Sequence, residues 1–558
     1  MDLRRGDRPS GRHSFLSPAR LRRFRRVPQG KCRPVAEITP DRKSCASAKL
    51  VRGDSPGFTQ PGLLQARDIY IYHACDFLSG ALIFAAVVFC PWAFGTTQSW
   101  SIWTMNVGGY ALGLLLAAKL WLRRFKGYSP PRWAHRNQAL DTDQPRQGAT
   151  TTLLAVTAVF LLYILTSALN AASTYHPAEL SFSYHRHLNW LPHSLDASRT
   201  WRCFWNYLAL ACSFWALRDW LLGKGQADIR SERSTGGAGP DPGSIFPTRL
   251  NVLLWLLAIN GALLAIEGLA QRFEGSGRLL FLVRPRVNPG AETQFGPWAY
   301  RANAAAWFNL LWPVCLGFWW TLHCYGTRRS RSHHWLLVST LVMAVCPIVS
   351  TSRGGALVTF GLLTASVLFL LVSALFLRSR RVGWRGWTAG SLVLLFSLGT
   401  LGLGMQLGWK ALAPRMAQIG SNAELREQMY DNARPMARDY PFYGTGAGTF
   451  ETVFQLYRAS TATYWPAQLH NDWLETRITF GGFGSLLIAI AFGSVMVRWF
   501  EPRGIHGGRR FVGLVWLAMT GCFVHARFDF PFQIYSILFL FLMLCAILSV
   551  LTRRPTGE

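Results

Sequence analysis

Charge is what this sequence has least of. Only 15% of its 558 residues are charged, against about 25% in an average soluble domain. Acidic residues are the scarcer sign: 28 Asp and Glu face 58 Lys and Arg, a formal net charge of +30. In a soluble chain that excess would suggest nucleic acid. Here the basic residues fall in short clusters between apolar runs, so nucleic acid is set aside as a partner and membrane orientation takes its place. The 11 cysteines include no CxxC pair, and Cys90, Cys212, Cys315, Cys346 and Cys545 sit inside apolar runs. Neither a zinc site nor a disulfide framework is therefore expected. There is no HExxH and no Ser/His/Asp set. The glycine cluster Gly444-Thr445-Gly446-Ala447-Gly448 lacks the Lys-Ser/Thr that a phosphate loop requires and reads as a tight turn. No internal repeat is apparent.

What the chain does have is hydrophobic length. Half of its residues are hydrophobic and 14% are aromatic, 24 of them Trp, a composition suited to interfacial belts. Residues 1–70 stand apart: rich in Arg, Pro, Ser and Gly, they read as a basic, disordered cytoplasmic tail. From there to residue 551, apolar runs of membrane-crossing length recur. They lie near 74–94, 101–122, 150–171, 203–222, 250–270, 302–322, 335–350, 355–377, 388–408, 478–499, 511–526 and 532–551, the seventh and eleventh being short. Lipid offers the backbone no hydrogen-bond partner, so these are expected to be helices. Every second connection is basic, as at Arg123-Arg124, Arg328-Arg329 and Arg380-Arg381. The simplest arrangement is an all-α, polytopic protein of about twelve transmembrane helices. Both termini, including residues 552–558, would be cytoplasmic, and one long periplasmic loop over 409–471 would contain short helices.

On the outer face, arginines disobey the positive-inside bias. Arg272, Arg278, Arg284, Arg286 and Arg301 precede the sixth run, and Arg353 sits in a three-residue break between two runs. Arg415, Arg426, Arg434, Arg438 and Arg458 follow in the long loop, which ends in His470-Asn471-Asp472. His525, Arg527 and Asp529 lie between the last two runs. One reading makes these solvated loop charges; the other makes them an anion site for a phosphate or pyrophosphate. Arg353 favours the second, because its burial between membrane segments is costly without a partner. The stretch Asn422–Arg434 reads as an amphipathic helix capped by Ser421 or Asn422. It would carry Arg426, Tyr430 and Arg434 on one face and be ended or kinked by Pro435. His470, at the membrane surface, is open to a structural or a catalytic role.

These residues resemble the O-antigen ligase / O-antigen polymerase family of bacterial envelope enzymes. Thr351-Ser352-Arg353-Gly354-Gly355 looks like its Ser-Arg-Gly element. Arg426 through Phe450 looks like its Arg-containing helix and glycine turn. His470-Asn471 with Leu474, Gly481 and Gly484 looks like its His-Asn motif, and His525 to Asp529 with Pro531 is similar to its His-x-x-x-Asp-Phe element. The resemblance spans roughly 74–551. Thr479 stands where many members carry an acid, Tyr430 where Trp is common, and Pro435 interrupts the usual helix.

The resemblance implies an enzyme of the bacterial inner membrane that moves a glycan from a polyprenyl-pyrophosphate carrier to an acceptor hydroxyl on the periplasmic face. His470 would be general base, Arg353 and Arg426 pyrophosphate ligands with Arg301 a third, and Asn471, Asp472, His525 and Asp529 support. No metal and no cofactor would be required. Lipid A core, a growing glycan or a protein are all admissible acceptors, so ligase, polymerase and protein O-oligosaccharyltransferase stay open. A secondary transporter would share the hydropathy but place ionisable residues at mid-membrane. Glu267 is the main residue of that kind.

Overall fold

The computed structural model describes residues 64–132, 145–226, 228–230, 246–325, 333–376, 383–459, 467–496 and 508–551. The expected basic tail up to residue 63, the basic connections around Arg328 and Arg380, and residues 552–558 lie outside them. The described chain is helical almost throughout. α1 (Ala66–Trp92) and α2 (Ser99–Phe125) are followed by α3 (Pro145–Leu169) and a hairpin, β1 (Ser173–His176) and β2 (Ser181–Tyr184), paired antiparallel. Then come α4 (Ala197–Leu222), α5 (Thr248–Glu274), α6 (Arg301–Tyr325), α7 (His334–Val349), α8 (Arg353–Phe376) and α9 (Gly383–Gly404). α10 (Lys410–Ala417) continues α9 through a π-turn, and α11 (Ile419–Asp439) turns back. α12 (Asp472–Met496), α13 (Gly508–His525) and α14 (Tyr535–Leu551) complete the bundle.

Each apolar run of the sequence overlaps one of these helices. Among the described residues, seven helices are long and apolar enough to cross a membrane. The first helix starts at Ala66, eight residues before its apolar run, where Gln65 and Asp68 form a capping box. α4 is capped by the Asp196 carboxylate, which accepts from Ser198 and Arg199 N–H. α2 packs along α4, and α6 lies centrally, against α13 and α7.

The two ends of the bundle differ in how charge is handled. At the far end of α2, α4 and α1, the buried Lys119 ammonium lies 2.9 Å from Asp219 and 3.3 Å from Asp76. Arg123 and Arg132 also meet Asp219, and Arg249 meets Asp76. Every buried charge in this network has an opposite charge beside it, which is the condition for tolerating it in a low-dielectric interior. At the other end, where α6 and α8 begin and α7 and α13 finish, several arginines form no ion pair among the described residues.

Two expectations about α11 need correction. It begins at Ile419, so Ser421 and Asn422 lie inside the helix and neither caps it. It also runs unbroken through Pro435 to Asp439. The proline removes only one backbone donor, and the helix is held from outside. Tyr430, Ala433 and Met436 are buried against Phe450, Val453 and Ile478.

Candidate active site

The glycine turn and a kink in α12 build the floor of the site. Thr445 and Gly446 N–H donate to the carbonyls of Ile478 (2.9 Å) and Thr479 (3.1 Å). A Cβ at Gly444 would stand 2.5 Å from Gly481 N, and Gly481 itself has φ 60°, so only glycine fits at both places. Tyr163 closes the join: its hydroxyl donates to the Tyr443 carbonyl at 2.6 Å. The turn is therefore a packing device, as its missing Lys-Ser/Thr suggested, and it fixes the register of α12 against the loop that precedes it.

That register positions His470-Asn471-Asp472. Asn471 Oδ1 accepts from Leu474 N–H at 3.2 Å and caps α12. Asp472 is buried; its N–H donates to the Ala526 carbonyl at 2.9 Å and its carboxylate accepts from Phe532 N–H at 2.7 Å. These bonds tie the start of α12 to the turn after α13. Asn471 and Asp472 thus shape the site from beneath and do not line it. His470, just before them, has φ 57°, a left-handed conformation uncommon outside glycine. Its carbonyl accepts from the Tyr430 hydroxyl at 2.8 Å, one of the contacts that hold the strained backbone in place.

The turn after α13 then presents Asp529 to the histidine. His470 Nδ1 lies 3.2 Å from Asp529 Oδ1. Burial alone would raise the Asp529 pKa, but the hydrogen bond and charge of His470, with His525 and Arg426 nearby, hold it below the usual carboxylate range. An ionised carboxylate only accepts, so Nδ1 carries a proton, and in the neutral imidazole the lone pair is then on Nε2. Tyr300 also reaches Asp529, at 3.4 Å, and stacks on Phe530. Burial, with Asp529 alongside, pushes the Tyr300 hydroxyl up. His525 is buried behind this pair, its Nε2 3.9 Å from Asp529 Oδ2, and neither ring nitrogen makes a hydrogen bond among the described residues.

In front of Asp529 opens a cavity of about 480 Å³ whose wall includes Arg301, Arg353, Arg415, Arg426 and Arg527. Arg301 and Arg353 stand at the first residues of α6 and α8, Arg415 and Arg426 on α10 and α11, and Arg527 just beyond α13. Among the described residues none of the five is paired with a carboxylate. Arg353 donates to the carbonyls of Arg415 and Gln418, Arg426 to that of Phe528, and Arg301 to that of Glu292. Arg301 is lowered to about 10 by burial and then by the like charges of Arg415, Arg272 and Arg353. Five arginines thus share the wall with two carboxylates, Asp529 and Glu427, a balance of charge that suits an anionic ligand.

The sequence singled out Arg301, Arg353 and Arg426 for this site, and all three line it. It did not select Arg415 or Arg527, nor Tyr300, although both arginines are among the outer charges that break the positive-inside bias. The expected Arg434 leaves the shared face: it pairs with Glu427 and Asp431 on the exposed side of α11. Arg278, Arg284 and Arg286 are exposed and stand apart from the cavity.

Fold and site together define a multi-pass membrane protein with a cationic cavity and a histidine–carboxylate pair at one end of its bundle. Residues 338–489, about a quarter of the chain, match the family model described as O-antigen ligase. The matched stretch carries Arg353, Arg415, Arg426 and His470. Arg301 and the Arg527–Asp529 turn come from outside it. A search of curated proteins gave no match.

Proposed function

We propose that the protein transfers a glycan from a polyprenyl-pyrophosphate carrier to an acceptor hydroxyl at the periplasmic face of the bacterial inner membrane. The observation that carries this reading is a cavity with five arginines against two carboxylates, Asp529 and Glu427, beside a His470–Asp529 pair. The donor's two phosphates supply further negative charge to balance the arginines. Leu357, 48% exposed on the rim and part of a membrane-length helix, offers the carrier chain an apolar exit toward lipid. In this reaction the acceptor oxygen attacks the anomeric carbon as its proton passes to His470 Nε2. The bond from that carbon to the pyrophosphate oxygen breaks, and polyprenyl pyrophosphate leaves with the electron pair. A positioned general base such as His470 is worth roughly 10²–10⁴-fold, and Asp529 steadies the imidazolium it forms. The arginines meet the growing negative charge, where one well-placed donor is typically worth about 3 kcal/mol. Neither step calls on a metal or cofactor.

The same reading places both termini in the cytoplasm and makes about twelve helices transmembrane. Lipid A core, a growing glycan and a protein serve equally as acceptors in this chemistry. The test is single-turnover transfer with purified His470→Ala in nanodiscs. Donor binding should stay near wild type while transfer falls at least about 100-fold; normal transfer would remove the base and with it the proposed mechanism.

A further inference from the structure

A second group of ligating side chains lies at the other end of α6. His323, two residues from the end of that helix, meets His333 and His334 where α7 begins. His323 Nδ1 is 3.1 Å from His333 Nε2, and one ring nitrogen from each of the three rings lies within 4.8 Å of the other two. The remaining nitrogen of His323, Nε2, is 3.1 Å from Thr388 Oγ1 on α9, and its ring stacks on Trp319 at 5.3 Å. A hydrogen bond between two imidazoles accounts for the first contact alone. It gives no reason for a third ring nitrogen to converge on the same point, nor for a hydroxyl on the opposite edge of His323.

Metal ligation accounts for all of these. Around a tetrahedral ion with metal–nitrogen bonds of about 2.0–2.1 Å, neighbouring ligand nitrogens stand roughly 3.3 Å apart. A ligating histidine ordinarily engages its other nitrogen with an oxygen that fixes ring and tautomer, as Thr388 does here. The cluster contains no carboxylate, so hard cations such as Mg²⁺ and Ca²⁺ are disfavoured and imidazole-preferring ions are suited. We propose that His323, His333 and His334 form a three-histidine site for a divalent transition metal of the zinc class. The ion fastens the end of α6 to the start of α7. His323 is twenty-two residues beyond Arg301 on one helix, about 33 Å at the rise of an α-helix, so the ion takes no part in transfer. The inference is independent of the function proposed above.

The test uses the untagged full-length protein in detergent, stripped with chelator and then dialysed against Zn²⁺ or Co²⁺. Wild type should retain about one ion per chain, and Co²⁺ should give the intense visible bands of a tetrahedral site. The single variants His323→Ala, His333→Ala and His334→Ala should each weaken binding at least about 10-fold, and Thr388→Val should weaken it by roughly 10-fold through the lost orienting contact. His187→Ala, on a different segment, should bind as wild type does. Chelator should lower the melting temperature of wild type and leave that of the triple variant unmoved. Should the triple variant misfold, the single variants decide. Wild-type binding that does not saturate near one ion, or stoichiometry and affinity unchanged in all three single variants, would overturn the site.

Discussion

Replacing Asp529 by Asn keeps the side chain's shape and removes its charge, which separates two jobs that one carboxylate performs in the proposed mechanism. Asp529 is the partner of His470 Nδ1 at 3.2 Å, with 9% of its side chain exposed, and it is also an anion in the wall of a cationic cavity. For the first job, the centres of an imidazolium and this carboxylate stand about 4 Å apart. At an effective dielectric of about 20 their attraction is about 4 kcal/mol, and each 1.36 kcal/mol is a factor of ten in rate. Transfer should therefore fall by roughly 10²–10³, with part of the loss arising because the amide no longer enforces the tautomer. For the second job the sign reverses. Loss of one negative charge leaves the arginines less screened, so carrier-linked donor should bind as well as to wild type or more tightly. The assay is equilibrium binding of donor and single-turnover transfer on the same nanodisc preparation, with size-exclusion profiles matched. Transfer within about threefold of wild type would refute the tautomer-and-charge account of His470. Donor binding that collapses in step with transfer would show that Asp529 supports the cavity's shape and not its chemistry.

Arg353→Ala and Arg426→Ala should weaken donor binding and turnover together, because they meet the pyrophosphate before and during bond breaking, and Arg→Lys should restore only part. Arg415→Ala and Arg527→Ala should act alike in the same titration, and unchanged donor affinity in all four would dissolve the anion site. The depressed pKa of Asp529 fixes a sign for acid stability. The contribution of the ionised side chain is present above the unfolded value, about 3.9, and is lost as pH falls through the lower folded value. Melting temperatures of wild type and Asp529→Asn should therefore differ by a constant amount well above about pH 4, and the gap should shrink steadily as pH falls below it. A gap that does not shrink in acid would contradict the linkage. Reporter fusions after Ser332, Arg381 and Gly507 should lie in the cytoplasm and those near Gln98 and Ser460 in the periplasm. A cytoplasmic Ser460 would put His470 out of reach of a periplasmic acceptor.

The helices were legible because hydrophobic length is a local property, written residue by residue, and each apolar run overlaps a helix. Arg353 was legible for a related reason, since a charge pinned between two such runs announces itself. The pairing of His470 with Asp529 is of another kind. Fifty-nine residues separate them, and long-range contacts such as the anchoring of Asp472 to the turn after α13 bring the two together. Arg415 and Arg527 were visible as outer charges, but their selection over Arg278 or Arg284 depends on how α10 and α11 fold back. No spacing rule encodes that. Pro435 misled because its local effect is real while the burial of Tyr430, Ala433 and Met436 outweighs it.

The cavity's wall is drawn from chain positions as far apart as Tyr300 and Asp529, and this spacing has a consequence for biosynthesis. A membrane protein emerges from its N-terminus, so the arginines of α6, α8, α10 and α11 enter the bilayer well before the turn that holds Arg527 and Asp529. Until that turn arrives, His470 has no carboxylate to set its tautomer, and α12 lacks the anchor that Asp472 finds in residues 526–533. A chain halted after α12 would hold most of the anion-binding charge yet be unable to accept a proton productively. In the proposed reaction, competence for transfer would then wait for the last turn of the cavity to be in place.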